Sequence, residues 1–234
     1  MYLLEGNIGV GKSTFLKILG QYCPEITVIQ EPVDNWSVNA DGQSLLANFY
    51  QDPARWAYTL ETFTMLARVR DHTLHQRQSN PLYIMERSVY SGHYCFATNG
   101  KAHGSFTPIE WEVYSRWVDF LVLKQCQPPR GFIYLQAQPE VCAARMKMRD
   151  RRGEEGVPLE YMQQIHDLHE KFMVTREGID PRLAKVPVLT LDVTQDLTQD
   201  AGRAADYAAQ VRAFVLEYAV RGESPADYSR LVRG

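Results

Sequence analysis

Residues 3–15 read LLEGNIGVGKSTF, and within them Gly6, Gly11, Lys12 and Ser13 hold the spacing GxxxxGK(S/T) of a phosphate-binding loop. This stretch constrains the chain more than any other. An apolar run precedes it and an amphipathic helical pattern follows, the strand–loop–helix context that the motif needs. Glycines let backbone N–H groups turn inward around phosphates, and the positive end of the following helix points at them. Gly6, Asn7, Ile8, Gly9, Val10, Gly11, Lys12, Ser13 and Thr14 are the expected nucleotide-binding residues. Lys12 is placed to neutralise the outer phosphates and the Ser13 hydroxyl to hold Mg²⁺. A nucleoside triphosphate is therefore expected, with its phosphate acceptor left open by the loop itself.

The rest of the chain supplies a fold for that loop. Apolar runs YLLE (2–5), ITVIQ (26–30), LYIME (82–86), GFIYLQ (131–136) and VPVLTL (186–191) alternate with helical sequence. The alternation predicts a five-stranded parallel α/β sheet covered by helices on both faces. Asp52-Pro53 and Thr107-Pro108-Ile109-Glu110 are helix starts, the second a capping box. Gln138-Pro139 and Val157-Pro158 open two more helices, with Gly178 as the expected stop of the second. Segment 97–106 reads as the most flexible internal loop and the tail beyond 220 as loosely held.

Bulk properties narrow the class. With 234 residues the chain fits one large domain, here 1–220 with a lid at about 145–157. A net charge of -3 gives no pull toward nucleic acid or acidic membranes. Four scattered cysteines without a CxxC pair point to a reducing compartment and against a zinc site. No run approaches the length of a membrane span. The loop stands so near the first residue that no leader peptide is expected, which assigns the chain to the cytoplasm or nucleus. No Asn-Lys-x-Asp signature of guanine-reading GTPases is present, and the chain is short for a motor ATPase. Small-molecule kinases remain.

Ligands of open parallel sheets collect at the carboxyl ends of the strands. Glu31 follows the second apolar run, and Glu86 and Arg87 close the third. Two carboxylates and an arginine there match the needs of phosphoryl transfer: a base, a metal partner and positive charge. The run RMKMRDRR at 145–152 sets Arg145, Arg149 and Arg152 on one helical face and reads as a lid over the nucleotide. His166 and His169 share a face too, but no further ligand motif supports a metal, and they read as packed or solvated.

GNIGVGKST, EPVDNW, ERSVYS, GFIYLQAQPEVC, the basic run with GVPLEY, and VPVLTLDVTQD, in that order, resemble the cellular-type deoxynucleoside kinases over nearly the whole chain. The likeness lies near the deoxycytidine and deoxyguanosine branch, with mitochondrial thymidine kinase and the insect enzyme next. The resemblance implies an ATP-dependent, Mg²⁺-dependent 5′-kinase of deoxynucleosides, and a homodimer paired through helices such as 53–77 and 107–126. It implies Glu31 as general base, Arg87 steadying the hydroxyl and phosphoryl group, and Glu86 with Ser13 on the metal. Tyr50 and Glu160 would grip the sugar 3′-hydroxyl. Trp36, Phe63 and Phe96 would line the base slot, Arg149 and Arg151 would act in the lid, and Asp196 would lie by the adenine.

The pattern departs at the base. Relatives usually carry glutamine where this chain has Glu61, and an aspartate where it has Gly92. A carboxylate only accepts hydrogen bonds, so Glu61 should favour an N–H edge. Arg68, two turns on, pulls toward cytosine or a purine; Glu61 would supply its missing partner. Space at Gly92 would admit thymine. Broad base specificity, including deoxycytidine and/or thymidine, is the expectation. The alternatives are a nucleoside monophosphate kinase of thymidylate type and a non-catalytic nucleotide-binding regulatory subunit.

Overall fold

In the computed structural model, which describes residues 1–31, 44–77, 82–150, 154 and 156–220, five parallel strands form one sheet in the order β2-β3-β1-β4-β5. The strands are β1 (Tyr2–Glu5), β2 (Thr27–Ile29), β3 (Tyr83–Glu86), β4 (Gly131–Gln136) and β5 (Val188–Asp192). All five lie within a residue or two of the apolar runs. The edge strand β2 is shorter than its run, because only Thr27, Val28 and Ile29 pair with β3.

Side-chain alternation splits the core between the two faces of the sheet. Leu3, Met85, Phe132 and Tyr134 point to one side, toward α3 (Pro53–His75), α4 and α5. Here α4 joins Val89–Ser91, a π-helical turn at Gly92–Ala97 and Thr98–Ala102, and α5 runs from Pro108–Trp117 through a π turn at Val118–Val122 to Leu123–Gln125. Tyr2, Leu4, Ile84, Ile133 and Leu135 point to the other side. There α1 (Lys12–Tyr22), α6 (Pro139–Arg149) and α9 (Ala201–Val220) cover them with Leu16, Leu19, Cys142, Val211 and Val215. Burial on both faces explains why these strands read as unbroken apolar runs. The remaining helices are α2 (Leu45–Gln51), α7 (Leu159–Glu170, extended by a π turn at Lys171–Thr175) and α8 (Pro181–Ala184).

The expected helix starts are present in detail. Asp52 accepts from the Arg55 amide ahead of α3, and Thr107 and Glu110 close a full capping box on α5. Gln138 caps α6 without a side-chain bond. Two local expectations need correction. Segment 97–106 is largely helical, because Thr98–Ala102 continues α4. α7 ends at Arg176 in the left-handed conformation, two residues before Gly178. Arg176 holds that turn by donating to the carbonyls of Phe172 and Leu183. The tail beyond residue 220 lies outside the described residues. The cysteines Cys23, Cys95, Cys126 and Cys142 are all buried and unpaired. No described helix is long and apolar enough to cross a membrane.

Candidate active site

The strand order places the ends of β1, β2 and β3 side by side, so the glycine loop, Glu31 and the Glu86–Arg87 pair face one region. The loop needs its glycines. Gly6, Gly9 and Gly11 all have positive φ. A Cβ on Gly9 would stand 2.3 Å from the Cys142 carbonyl oxygen. Asn7 fixes the loop from inside, donating from Nδ2 to the Met162 carbonyl at 2.9 Å while its Oδ1 accepts from the Ile8 amide at 2.8 Å.

Lys12 is buried and donates to the carbonyls of Gly6 (3.1 Å) and Asn7 (2.9 Å). Burial pulls its pKa down to about 7, Arg87 adds to the shift, and Glu86, Glu31 and Glu5 oppose it. A phosphate would reverse the balance, because it supplies the negative charge that the buried ammonium lacks. Ser13 donates from Oγ to both Glu86 oxygens, at 2.8 and 3.1 Å.

Two cavities meet at this point. One, of about 460 Å³, is lined by Glu31, Leu46, Phe49, Tyr50, Glu61, Arg68, Arg87, Phe96 and Tyr161 among others. The second, of about 490 Å³, runs along the glycine loop to Arg145, Gln195 and Asp196. Gly9, Lys12, Ser13, Glu86 and Arg149 line both. Each is large enough for a nucleoside-sized body.

Glu31 sits in the wall of the first cavity between two guanidinium groups. Arg68 donates to Oε1 from Nε (3.0 Å) and from an Nη (2.7 Å), and Arg87 Nε lies 3.4 Å from Oε2. Burial alone would raise the pKa of Glu31, but the two arginines outweigh it and hold the carboxyl below its ordinary value. Arg87 itself adopts a left-handed backbone, φ 61°, a strained choice for a side chain of its size. Its amide donates to the Leu4 carbonyl at 2.8 Å and its guanidinium lies over Phe96. Burial would lower its pKa; Glu31, Glu5 and Glu86 raise it instead.

Glu61 is buried on α3 and lines the same cavity. Burial lifts its pKa to about 7, against the pull of Arg68 and Arg87. It does not take Arg68 as a hydrogen-bonded partner in place of the absent aspartate; Glu31 does. Nor is Gly92 an open slot, since an ideal Cβ there would meet Arg68 Nη1 at 2.7 Å. The arginine has filled the space, which removes the steric reason for admitting thymine.

Other expected residues divide. Tyr50 and Phe96 line the first cavity, and Asp196 lines the second while accepting from the amide and hydroxyl of Thr198. Phe63 packs against the core rather than lining either cavity. Glu160 is exposed in the first turn of α7 and lines neither cavity. Trp36 and Arg151 lie outside the described residues. His169 is fully buried with its ring stacked on Tyr134, and no group of three or more metal-ligating side chains occurs among the described residues.

Glu154 is a cavity residue that sequence reading missed, and Arg145, read there as a lid arginine, has a second role. Glu154 is buried, lines the first cavity and accepts from Arg149 at 2.5 Å. Its charge lies close enough to Tyr50 to help burial raise that phenol. The signal was present: a carboxylate just after the basic run, inside the expected lid and five residues from Arg149. Arg145 is a strut, donating to the carbonyls of Val10 and Thr194 at 3.1 Å each. Its place on the expected lid face concealed that role.

A parallel sheet of this order, a glycine loop after its first strand and a carboxylate–arginine set at the neighbouring strand ends define a phosphate-binding-loop protein of the nucleoside kinase fold. Residues 3–216 match the family described as deoxynucleoside kinase. Human deoxycytidine kinase is 36% identical over 82% of this chain and 83% of its own length. The mitochondrial deoxyguanosine kinase of Xenopus laevis is 33% identical, covering 91% and 88%. The mitochondrial thymidine kinase 2 of Macaca fascicularis is 35% identical, covering 81% and 69%. The chain belongs to the deoxynucleoside kinase family.

Proposed function

We propose that the chain transfers the γ-phosphoryl group of ATP to the 5′-hydroxyl of 2′-deoxynucleosides. The junction of the two cavities at Lys12, Ser13, Glu86 and Arg149 carries this reading. ATP would lie along the glycine loop with its adenine toward Asp196. A nucleoside in the first cavity would then present its 5′-hydroxyl beside Glu31.

Each residue has a task that its surroundings support. Glu31, held ionised by its arginines, accepts the proton of the attacking hydroxyl. Arg87 neutralises charge on the moving phosphoryl group, and Lys12 and Arg149 meet the outer phosphates. Tyr50 and Glu154 grip the sugar, with Glu154 replacing Glu160 in that role. Ser13 and Glu86 offer the hard oxygen donors that Mg²⁺ accepts beside phosphate ligands. Held by Ser13 and Glu86, Mg²⁺ would supply positive charge to offset that of the phosphates. Exposed Leu66 and Leu74 on α3, with Ile109, Trp117 and Phe120 on α5, support a homodimer through these helices.

The test is purified protein with ATP and Mg²⁺ against the four deoxynucleosides, with ribonucleosides and dTMP as controls. Deoxynucleosides should be phosphorylated. Glu31→Gln should lower kcat by about 10²- to 10⁴-fold while nucleoside still binds. Product from dTMP alone would indicate a monophosphate kinase, and ATP binding without any product a regulatory subunit.

A further inference from the structure

Glu61 is a buried acid that the phosphoryl-transfer machinery does not use. Its carboxyl borders the nucleoside cavity and makes no hydrogen bond to another described residue. Arg68 borders the same cavity seven residues on, on the same face of α3 and about 10 Å along its axis. An acceptor and a donor fork thus stand at two ends of one wall.

Guanine, thymine and cytosine differ in how they meet such a wall. Guanine presents, in order around its edge, two adjacent donors (N2–H₂ and N1–H) and two adjacent acceptors (O6 and N7). The acceptor pair matches a guanidinium fork, and the donor pair matches a carboxylate. Thymine and cytosine each offer one donor beside an acceptor. They suit a group that both donates and accepts, as a neutral carboxylic acid does. We propose that Glu61 and Arg68 together read the base edge, and that the protonation state of Glu61 sets the choice: carboxylate for deoxyguanosine, carboxylic acid for pyrimidine deoxynucleosides. The proposal rests on the kinase reading above and names its substrate.

The surroundings put that choice within reach of ordinary pH. Burial raises the pKa of Glu61 to about 7; Arg68 on its own helix and Arg87 after β3 oppose the rise, and Glu31 after β2 adds to it. Among the described residues, the other titratable groups facing it are Tyr50 from α2, Cys95 from α4, Tyr114 from α5 and Tyr161 from α7. Burial raises the pKa of each of these four, so they stay neutral where Glu61 titrates. Glu31 stays ionised there, its pKa being held low. The reader also couples to catalysis. Arg68 is bonded to Glu31, and a base that draws Arg68 away leaves Glu31 a stronger proton acceptor.

The experiment is kcat/KM for deoxyguanosine, deoxycytidine and thymidine at a series of pH values, on wild type and Glu61→Gln. Taking ratios between nucleosides cancels Lys12 and every other group that acts on all substrates alike. In wild type the deoxyguanosine-to-pyrimidine ratio should rise by about tenfold or more between about pH 6 and pH 8.5, through one ionisation. In Glu61→Gln the ratio should be flat. A flat ratio in wild type overturns the proposal even if the variant fails to fold, and so does an equal rise in a folded variant. In either case, continued phosphorylation of deoxynucleosides leaves the kinase reading standing. Phosphorylation of none overturns both.

Discussion

Arg68 occupies the place that a side chain on Gly92 would take. An ideal Cβ at Gly92 would lie 2.7 Å from Arg68 Nη1, while the same guanidinium holds Glu31 at 2.7 and 3.0 Å. The glycine lets the arginine lie against α4 and still reach Glu31. Gly92→Ala should force the tip of Arg68 aside. We expect KM for deoxynucleosides to rise by about tenfold, the cost of disturbing a charged hydrogen bond, with KM for ATP unchanged. The fold should survive, since Gly92 has helical φ. An unaltered nucleoside KM would show that Arg68 does not need this space.

The sugar grip can be assigned by two substitutions. Glu154 is buried in the cavity wall, and Glu160 is exposed outside it. Glu154→Gln should raise nucleoside KM by about tenfold, because it removes a charge-assisted partner. Glu160→Gln should change it by less than about twofold, as surface changes do. Steady-state kinetics decide, and the opposite ranking would return the role to Glu160.

Gly9 and Gly11 separate two reasons for glycine in one loop. Both have positive φ, but an added Cβ meets the Cys142 carbonyl oxygen at Gly9 and nothing within 4 Å at Gly11. Gly11→Ala should cost about 1–2 kcal/mol, the price of a left-handed side-chain residue. Gly9→Ala should cost more than that and abolish ATP binding. Denaturant unfolding and nucleotide titration measure both, and equal costs would mean that the Cys142 contact relaxes freely.

His72 makes stability depend on pH in a known direction. Its ring donates one bond, from Nε2 to the Gln127 carbonyl at 2.8 Å, and burial drives its pKa down to about 4. Below about pH 6.5 the unfolded chain binds a proton there that the folded chain refuses, so stability falls as pH drops toward 4. His72→Gln lacks that loss. Its destabilisation relative to wild type should therefore shrink from pH 7.5 to pH 5, by up to about 2 kcal/mol. A gap that widens at low pH would refute the buried neutral histidine.

Much of this architecture is legible in the sequence because its signals are local. The strands are apolar runs, the helix starts are written in Asp52-Pro53 and Thr107–Glu110, and the glycine loop has fixed spacing. Residues at strand ends, Glu31, Glu86 and Arg87, follow from the rule that parallel sheets bind ligands at one edge. What escaped depends on distance in three dimensions. Whether Arg68 turns to Glu31 or Glu61, and whether Glu154 or Glu160 reaches the cavity, is decided by packing between elements far apart in the chain. Phe63 shows the same limit: an aromatic on the right helix can face the core as readily as a pocket.

The shared rim of the two cavities has a practical consequence. Lys12, Ser13, Glu86 and Arg149 border both chambers, so the two lie side by side. A single tethered compound, a deoxynucleoside joined by a short polyphosphate to adenosine, could occupy both at once. Its second half would bind at high effective concentration once the first was seated. Such a compound should hold the protein more tightly than either fragment, with tether length acting as a ruler for the gap between hydroxyl and phosphate.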